Sequence, residues 1–329
     1  MHIQAHSRIE EGRFVSIRGV DQWVTVRGRD QGNTPLLILP GPGAGFSVLA
    51  PLFAPWEHAF TLVQWDQPHA GVTHARHGGN TPGAYTIERL VADGLAVCAW
   101  ATRRLGISRI AVLAFSAGTI LGLHMIKRCP ELFRAYVATG QITRWARQDA
   151  LSYRMVLAAA RQRHDAAAIA ELERIGPPPY ADTATDAIKA KYSVAPTAAE
   201  AAAFAALPAP TLAAMTDAPA DAGYVPSRWL PQKDARAVAT AAYDALRPEL
   251  LSFDAAPLGP AFEVPMIFLQ GELDACTVSA EVEQYAATIR APHKKYVGIP
   301  DAGHSPWMMR ERYLQLLDLH VRPLLSEDR

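Results

Sequence analysis

Ile110-Ala111-Val112-Leu113 runs without a polar break into Ala114-Phe115-Ser116-Ala117-Gly118. An unbroken apolar run of this length suits a strand covered on both faces. Small residues on either side of Ser116 leave room for a sharp turn from that strand into a helix, and such a turn lifts a serine hydroxyl clear of the backbone. A chain organised around this junction is directed towards an open sheet with helices packed on it. Ser116 could also serve only as the cap of the following helix, because serine oxygens accept hydrogen bonds from the free amides of a helix start.

The rest of the chain repeats the alternation. Residues 13–18 and 23–27 alternate polar and apolar around Gly19-Val20-Asp21-Gln22, which predicts an antiparallel hairpin. Residues 36–39, 61–65, 109–113, 135–138, 265–269 and 294–297 are the further strand candidates. Helical spacing of Ile87, Leu90, Val91, Leu95, Cys98 and Ala99 predicts a helix over 86–105 that Gly106 stops. Further helices are expected over 117–127, 279–289 and 307–321. Strands separated by helix-length connections predict an α/β fold with a mostly parallel, doubly wound sheet.

The composition changes after Trp145. From there to Pro248 the chain is alanine-rich, helical in pattern and punctuated by Gly176-Pro177-Pro178-Pro179 and Pro208-Ala209-Pro210. The expected organisation is a core of residues 1–144 and 249–329 interrupted by a helical cap, or lid, over residues 145–248. A peripheral helical layer away from any site is the alternative. In the first reading the site lies between core and cap.

Charge and cysteine usage narrow the function classes. The 32 basic residues equal the 32 acidic ones, so no basic surface points to nucleic acid. The first 13 residues lack the apolar segment of a signal peptide, and the alanine-rich stretches are broken before they could span a bilayer. Cys98, Cys129 and Cys276 are far apart, with no Cys-x-x-Cys, which argues against a disulfide framework or a zinc cluster. The expected setting is cytoplasmic, with no membrane partner, no cofactor and no metal.

A serine hydroxyl attacks a carbonyl at neutral pH only with a base beside it, and the base needs an acid to hold its tautomer. For a strand-turn-helix serine the expected order along the chain is Ser, then Asp or Glu, then His. Asp274 follows a strand candidate in Gln270-Gly271-Glu272-Leu273-Asp274, and His304 follows another in Asp301-Ala302-Gly303-His304-Ser305-Pro306. Both stand beyond the carboxyl ends of strands, where parallel sheets gather their sites. Glu272 and Asp301 are rival acids. Asp274 is preferred because it stands further beyond its strand, and Asp301 is expected to shape the loop before His304. His164 and His320 are expected to be exposed, and His58, His74, His77 and His293 show no evident pairing.

The negative oxygen of an acyl-transfer intermediate needs two backbone donors. The Ala117 amide is one candidate. The other lies in Leu39-Pro40-Gly41-Pro42-Gly43-Ala44-Gly45, where prolines 40 and 42 have no N–H to give and Gly41 is the best donor. A phosphate-cradling loop would continue Gly-Lys-Ser/Thr, whereas this one continues Gly45-Phe46-Ser47. Hydrolases with an aspartate nucleophile want Asp at the elbow, where this chain has Ser116, and no cluster of Asp and His with ligand-like spacing points to a metal hydrolase.

On these residues the chain resembles the α/β-hydrolase superfamily, and within it the proline iminopeptidase-like branch. Gly41-Pro42-Gly43 is similar to the end of that branch's His-Gly-Gly-Pro-Gly loop, and Gln64-Trp65-Asp66-Gln67 to its Trp-Asp-Gln segment. Ala114 to Gly118 resembles its nucleophile elbow, and Val264-Pro265, Gly271, Asp274 and Gly303-His304-Ser305-Pro306 its acid and histidine blocks. Residues 171–178 resemble a cap segment of peptidase-like relatives. The resemblance covers nearly the whole chain. It implies Ser116 as nucleophile, Asp274 as acid, His304 as base, and Gly41 and Ala117 as oxyanion donors. The activity it implies is release of an N-terminal residue from small peptides or aminoacyl amides.

Three departures bear on the substrate. Leu39-Pro40 stands where the branch has His-Gly, Ala117 where a tryptophan is common, and Pro68-His69-Ala70-Gly71 where Arg-Gly-x-Gly is usual. A carboxylesterase acting on small uncharged esters is therefore the second expectation. A non-catalytic binding protein on the same fold is the third. An iminopeptidase must also hold a charged amino terminus with carboxylates. Glu171, Glu173, Asp217, Asp221 and Asp244 are available, and nothing in their spacing selects a pair.

Overall fold

The computed structural model describes residues 8–30, 32–216 and 232–325. Eight strands make one sheet in the order β1-β2-β4-β3-β5-β6-β7-β8. They are β1 (Ile9–Ile17), β2 (Val20–Gly28), β3 (Thr34–Leu39), β4 (Phe60–Asp66), β5 (Ile110–Phe115), β6 (Phe133–Thr139), β7 (Met266–Gly271) and β8 (Lys294–Ile299). The β1–β2 and β2–β4 pairs are antiparallel, and all other neighbours run parallel. The N-terminal hairpin is longer than its alternation predicts. Ile17 pairs with Val20, so the turn is Arg18-Gly19 rather than residues 19–22, with φ of 49° and 83°. Two consecutive left-handed residues match the twist of the flanking strands and let pairing continue to the turn itself.

The central strands β3 and β5 are almost wholly apolar because both faces are covered. Leu37, Leu39, Val112 and Ala114 point into one core, and Leu36, Ile38, Ala111 and Leu113 into the other. Two short helices, α1 (Ala50–Phe53) and α2 (Gly71–Arg76), precede α3 (Ile87–Leu105) and α4 (Gly118–Arg128). The first core is closed by α3 and α4, and the second by Phe53, Trp56, Tyr313 and Leu317. The ends of α3 follow its sequence signals: the Thr86 hydroxyl accepts from the Arg89 amide, and Gly106 closes the last turn in the left-handed region.

Between β6 and β7 the alanine-rich segment forms a cap-like helical region. Its helices are α5 (Trp145–Gln162), α6 (Ala166–Ile175), α7 (Thr183–Ser193), α8 (Ala198–Ala205), α9 (Ala209–Thr216) and α10 (Gln232–Leu251). Alanine favours helix without demanding a deep core, and the starts are fixed by side chains: Asp165, Asp182 and Thr197 each accept from an amide in the first turn. Tyr153, Val156, Ala160, Ala168 and Leu172 give α5 and α6 a small core of their own. The chain then returns to the sheet and ends with α11 (Ser279–Thr288), α12 (Arg310–His320) and α13 (Arg322–Leu325). Among the described residues no single helix is long and apolar enough to cross a membrane.

Candidate active site

Four sequence-predicted segments meet at the carboxyl edge of the sheet, after β3, β5, β7 and β8. Ser116 follows β5 with φ of 50°, a region that residues with a side chain seldom occupy. Its amide donates to the Thr139 carbonyl at 2.9 Å, tying the elbow to the neighbouring strand. The helix beyond can begin so close to β3 only because residue 118 is glycine. A Cβ there would lie 2.3 Å from the Leu39 carbonyl oxygen.

His304 bridges the other two predicted residues. Its Nε2 lies 3.0 Å from Ser116 Oγ, and its Nδ1 lies 3.0 and 3.2 Å from the two oxygens of Asp274. A carboxylate only accepts, so Nδ1 carries the proton and Nε2 is left to accept from the serine hydroxyl. Asp274 is buried, and its charge is met on every side. Oδ1 accepts from the amides of Cys276 and Thr277 at 2.8 and 3.0 Å; Oδ2 accepts from the Thr277 hydroxyl at 2.6 Å and Gln270 Nε2 at 2.9 Å. Burial pushes the Asp274 carboxyl upwards, but the His304 charge and bond, with the Thr277 bonds, outweigh it and hold the group below its ordinary range. For His304 burial pulls downwards, and the Asp274 charge and bond, with the Glu200 charge, leave the imidazole above its ordinary value.

The rival acids are elsewhere. Glu272 and Asp301 are exposed, and Asp301 shapes the loop with φ of 64°. Gly41 and Ala117 face each other across the elbow: a Cβ on Gly41 would lie 3.3 Å from Ala117 Cβ and 3.8 Å from its amide nitrogen. Among the described residues neither amide donates to a protein acceptor. The loop carrying Gly41 is held from beneath by β4 and the residue after it. Gln67 Nε2 donates to the Pro40 carbonyl at 3.0 Å, and Gln64 Nε2 to that of Phe46 at 2.6 Å. Buried Asp66 accepts from Ser47 Oγ at 2.6 Å and from the amides of Ser47 and Val72 at 3.2 and 2.9 Å. Burial nevertheless pushes its carboxyl up to about 6.

Of the carboxylates put forward for an amino terminus, Glu171 pairs with Lys191 and Tyr192, Glu173 with Arg161, and Asp244 with the Thr183 hydroxyl. No two of these three converge; Asp217 and Asp221 lie outside the described residues. Two features escaped the sequence reading. Lys189 is buried in the cap between Asp149 and Asp186, with Tyr243 donating to Asp186 at 3.1 Å. Glu200 is fully buried at the start of α8, and its Oε1 accepts from the amides of Gly303 and Ser305 at 2.9 and 3.0 Å, on either side of His304. Thr197-Ala198-Ala199-Glu200 is a capping-box string, the one local signal that marks Glu200 at all. Among the described residues no three His, Cys, Asp or Glu side chains form a metal-binding group.

Residues 34–308 match the family described as alpha/beta hydrolase fold. The chain is 24% identical over 295 residues to "Probable aminopeptidase YbaC" of Bacillus subtilis (strain 168), covering 89% of this chain and 90% of that protein. Among solved structures it is similar to the proline iminopeptidase of Mycobacterium smegmatis, with a TM-score of 0.61, 18% identity, and 96% and 99% of the two chains covered. A proline iminopeptidase-related protein of Thermus thermophilus follows at 0.58 and 20%, covering 96% and 99%. A thermophilic esterase from Thermogutta terrifontis gives 0.57 and 18%, covering 97% and 100%. At these identities the structural likeness is one of fold.

Proposed function

The chain belongs to the alpha/beta-hydrolase family, and from that premise we propose that it is a serine hydrolase working through an acyl-enzyme on Ser116. The observation that carries this reading is the continuous hydrogen-bonded path from Asp274 through His304 to the Ser116 hydroxyl. In this cycle His304 Nε2 takes the hydroxyl proton as Oγ bonds to the substrate carbonyl carbon. The Gly41 and Ala117 amides hold the oxyanion, and Asp274 stabilises the imidazolium. The same proton then passes to the leaving group as its bond to carbon breaks. Water, deprotonated by His304, releases the acyl group and restores the serine. The proposed cycle needs no cofactor or metal. Residues 1–144 and 249–329 serve as its core and 145–248 as the cap over the substrate, in a cytoplasmic setting.

For the substrate, the first reading is an N-terminal residue released from a short peptide or aminoacyl amide. It is supported by the likeness to the Bacillus subtilis protein across most of both chains. A small uncharged ester is the second reading, and one observation favours it. Every acidic side chain described between Trp145 and Leu251 already has a hydrogen-bond or ion-pair partner, the pair Asp149 and Asp186 being filled by Lys189.

One experiment tests both levels. Ser116→Ala should lower turnover by roughly four orders of magnitude or more, and near-normal hydrolysis would remove Ser116 from the mechanism. The wild-type chain is then compared on proline and alanine amides, their N-blocked forms and short-chain aryl esters. Rejection of the blocked amides supports the peptidase; indifference to blocking with faster ester turnover supports the esterase.

A further inference from the structure

Glu200 does more than cap its helix. A capping box requires its carboxylate only at the Thr197 amide, which Oε2 satisfies at 2.9 Å. The other oxygen, Oε1, leaves the helix altogether and takes the amides of Gly303 and Ser305. The Thr197 hydroxyl adds a bond of 2.7 Å to the Asp301 carbonyl, so the start of α8 grips the histidine loop on both sides of its active residue. The fit is close: a Cβ on Gly303 would lie 3.0 Å from both Glu200 Oε2 and Thr197 Cγ2. Among the described residues no lysine or arginine pairs with Glu200, so three amides carry the burial of its charge.

We propose that Glu200 is a positioning residue for the base: through the amides flanking His304, the cap fixes where the imidazole stands and sets a second negative charge beside it. This rests on the serine-hydrolase reading above. Among the described residues the groups facing His304 are few. Asp274 comes from the loop after β7 and Glu200 from α8, while Asp301 on its own loop is exposed. Gly140 and Ser116 bring no charge. Cys276, beside Asp274, is a neutral thiol pushed up to about 12 by burial. Among the described residues Glu200 is thus the one charge near the base that the cap supplies, and it raises the affinity of His304 for a proton.

The test uses a fluorophosphonate, which needs no knowledge of the substrate. Its Ser116 Oγ–P bond forms as P–F breaks, the serine proton passes to His304, and fluoride leaves. The rate constant for labelling is measured from about pH 5 to 9 on the full-length wild type, Glu200→Gln and Glu200→Asp, a range that brackets the histidine. Glu200→Gln keeps the size of the side chain but not its charge. Its plateau rate should fall about tenfold through a displaced imidazole, and the acid limb should move down by about half a pH unit as His304 loses a neighbouring anion.

Glu200→Asp keeps the charge on a shorter stem that cannot meet both amides, so its plateau should fall while the acid limb stays. An unmoved limb in Glu200→Gln overturns the proposal, even if that variant melts earlier, as a merely structural role would allow. If Glu200→Gln does not fold, a wild-type plateau in Glu200→Asp overturns it. Failure of the underlying reading looks different: wild-type labelling would persist in Ser116→Ala or would lack an acid limb altogether.

Discussion

Ser116 holds a left-handed conformation that costs an L-residue roughly 1–2 kcal/mol, and the bond from its amide to Thr139 helps to offset that strain. The imidazole that faces it depends on a residue with no polar side chain. Gly140 has φ of 64°, and a Cβ there would lie 3.0 Å from His304 Cε1 and 3.3 Å from Thr277 Oγ1. Gly140→Ala should therefore lower kcat by roughly 100-fold, the loss expected from a misplacement of about 1 Å, with a lower melting temperature from backbone strain. A wild-type kcat would mean that the imidazole does not work from this position. Asp274→Asn should lower kcat by about four orders of magnitude, because an amide can hold the wrong histidine tautomer. Stopped-assay rates at saturating substrate check both. Ser116, Asp274 and His304 were legible because each sits in a short string with its own strand and turn. Gly140 and Glu200 were not, because nothing near them in sequence says that residues 140 and 200 will be folded against residue 304.

At the scale of elements, the decisive unit is the glycine loop after β3, which has little structure of its own. It is held by polar side chains at the end of β4 and just beyond, one of which, Gln67, donates to the carbonyl next to Gly41. Gln67→Leu leaves that buried carbonyl without its partner and frees the loop to drift. The expected result is a kcat about tenfold or more lower, with KM changed far less, because an oxyanion donor acts on the transition state. A proportionate rise in KM with kcat intact would assign the loop to substrate binding instead. The strands of this region could be read from sequence because their two covered faces make short, densely apolar runs, Leu36–Leu39 and Leu62-Val63 among them. The hairpin turn was misplaced by its alternation pattern, since conformation at Arg18-Gly19 and not hydropathy decides where pairing ends. The role of Asp66 was invisible for another reason: a buried carboxylate that braces two loops has the same one-letter code as an exposed one.

Across the whole molecule, these ionisable groups pull stability in opposite directions as pH changes. Asp274 is held below its ordinary range, so its contribution is present above the unfolded value of 3.8 and is lost as acid protonates it. His304 is held above 6.5, so its contribution is full below that pH and disappears as pH rises through its folded value. Asp66 works against the fold at neutral pH. Its carboxyl moves from 3.8 to about 6, so the native state binds the extra proton and stability falls as pH climbs between those values. Keeping it ionised at pH 7 costs roughly 3 kcal/mol relative to acid. Asp66→Asn cannot ionise and should escape that decline, although its amide NH2 would face donors from which the carboxylate accepts. The variant should therefore be the less stable protein at about pH 4 and recover ground on the wild type by about pH 7, with the change concentrated below about pH 6. Denaturant unfolding of both chains across this range measures it. A stability difference that stays constant from acid to neutral pH would mean that Asp66 carries its charge without penalty, and that the bonds from Ser47 and Val72 fully replace water.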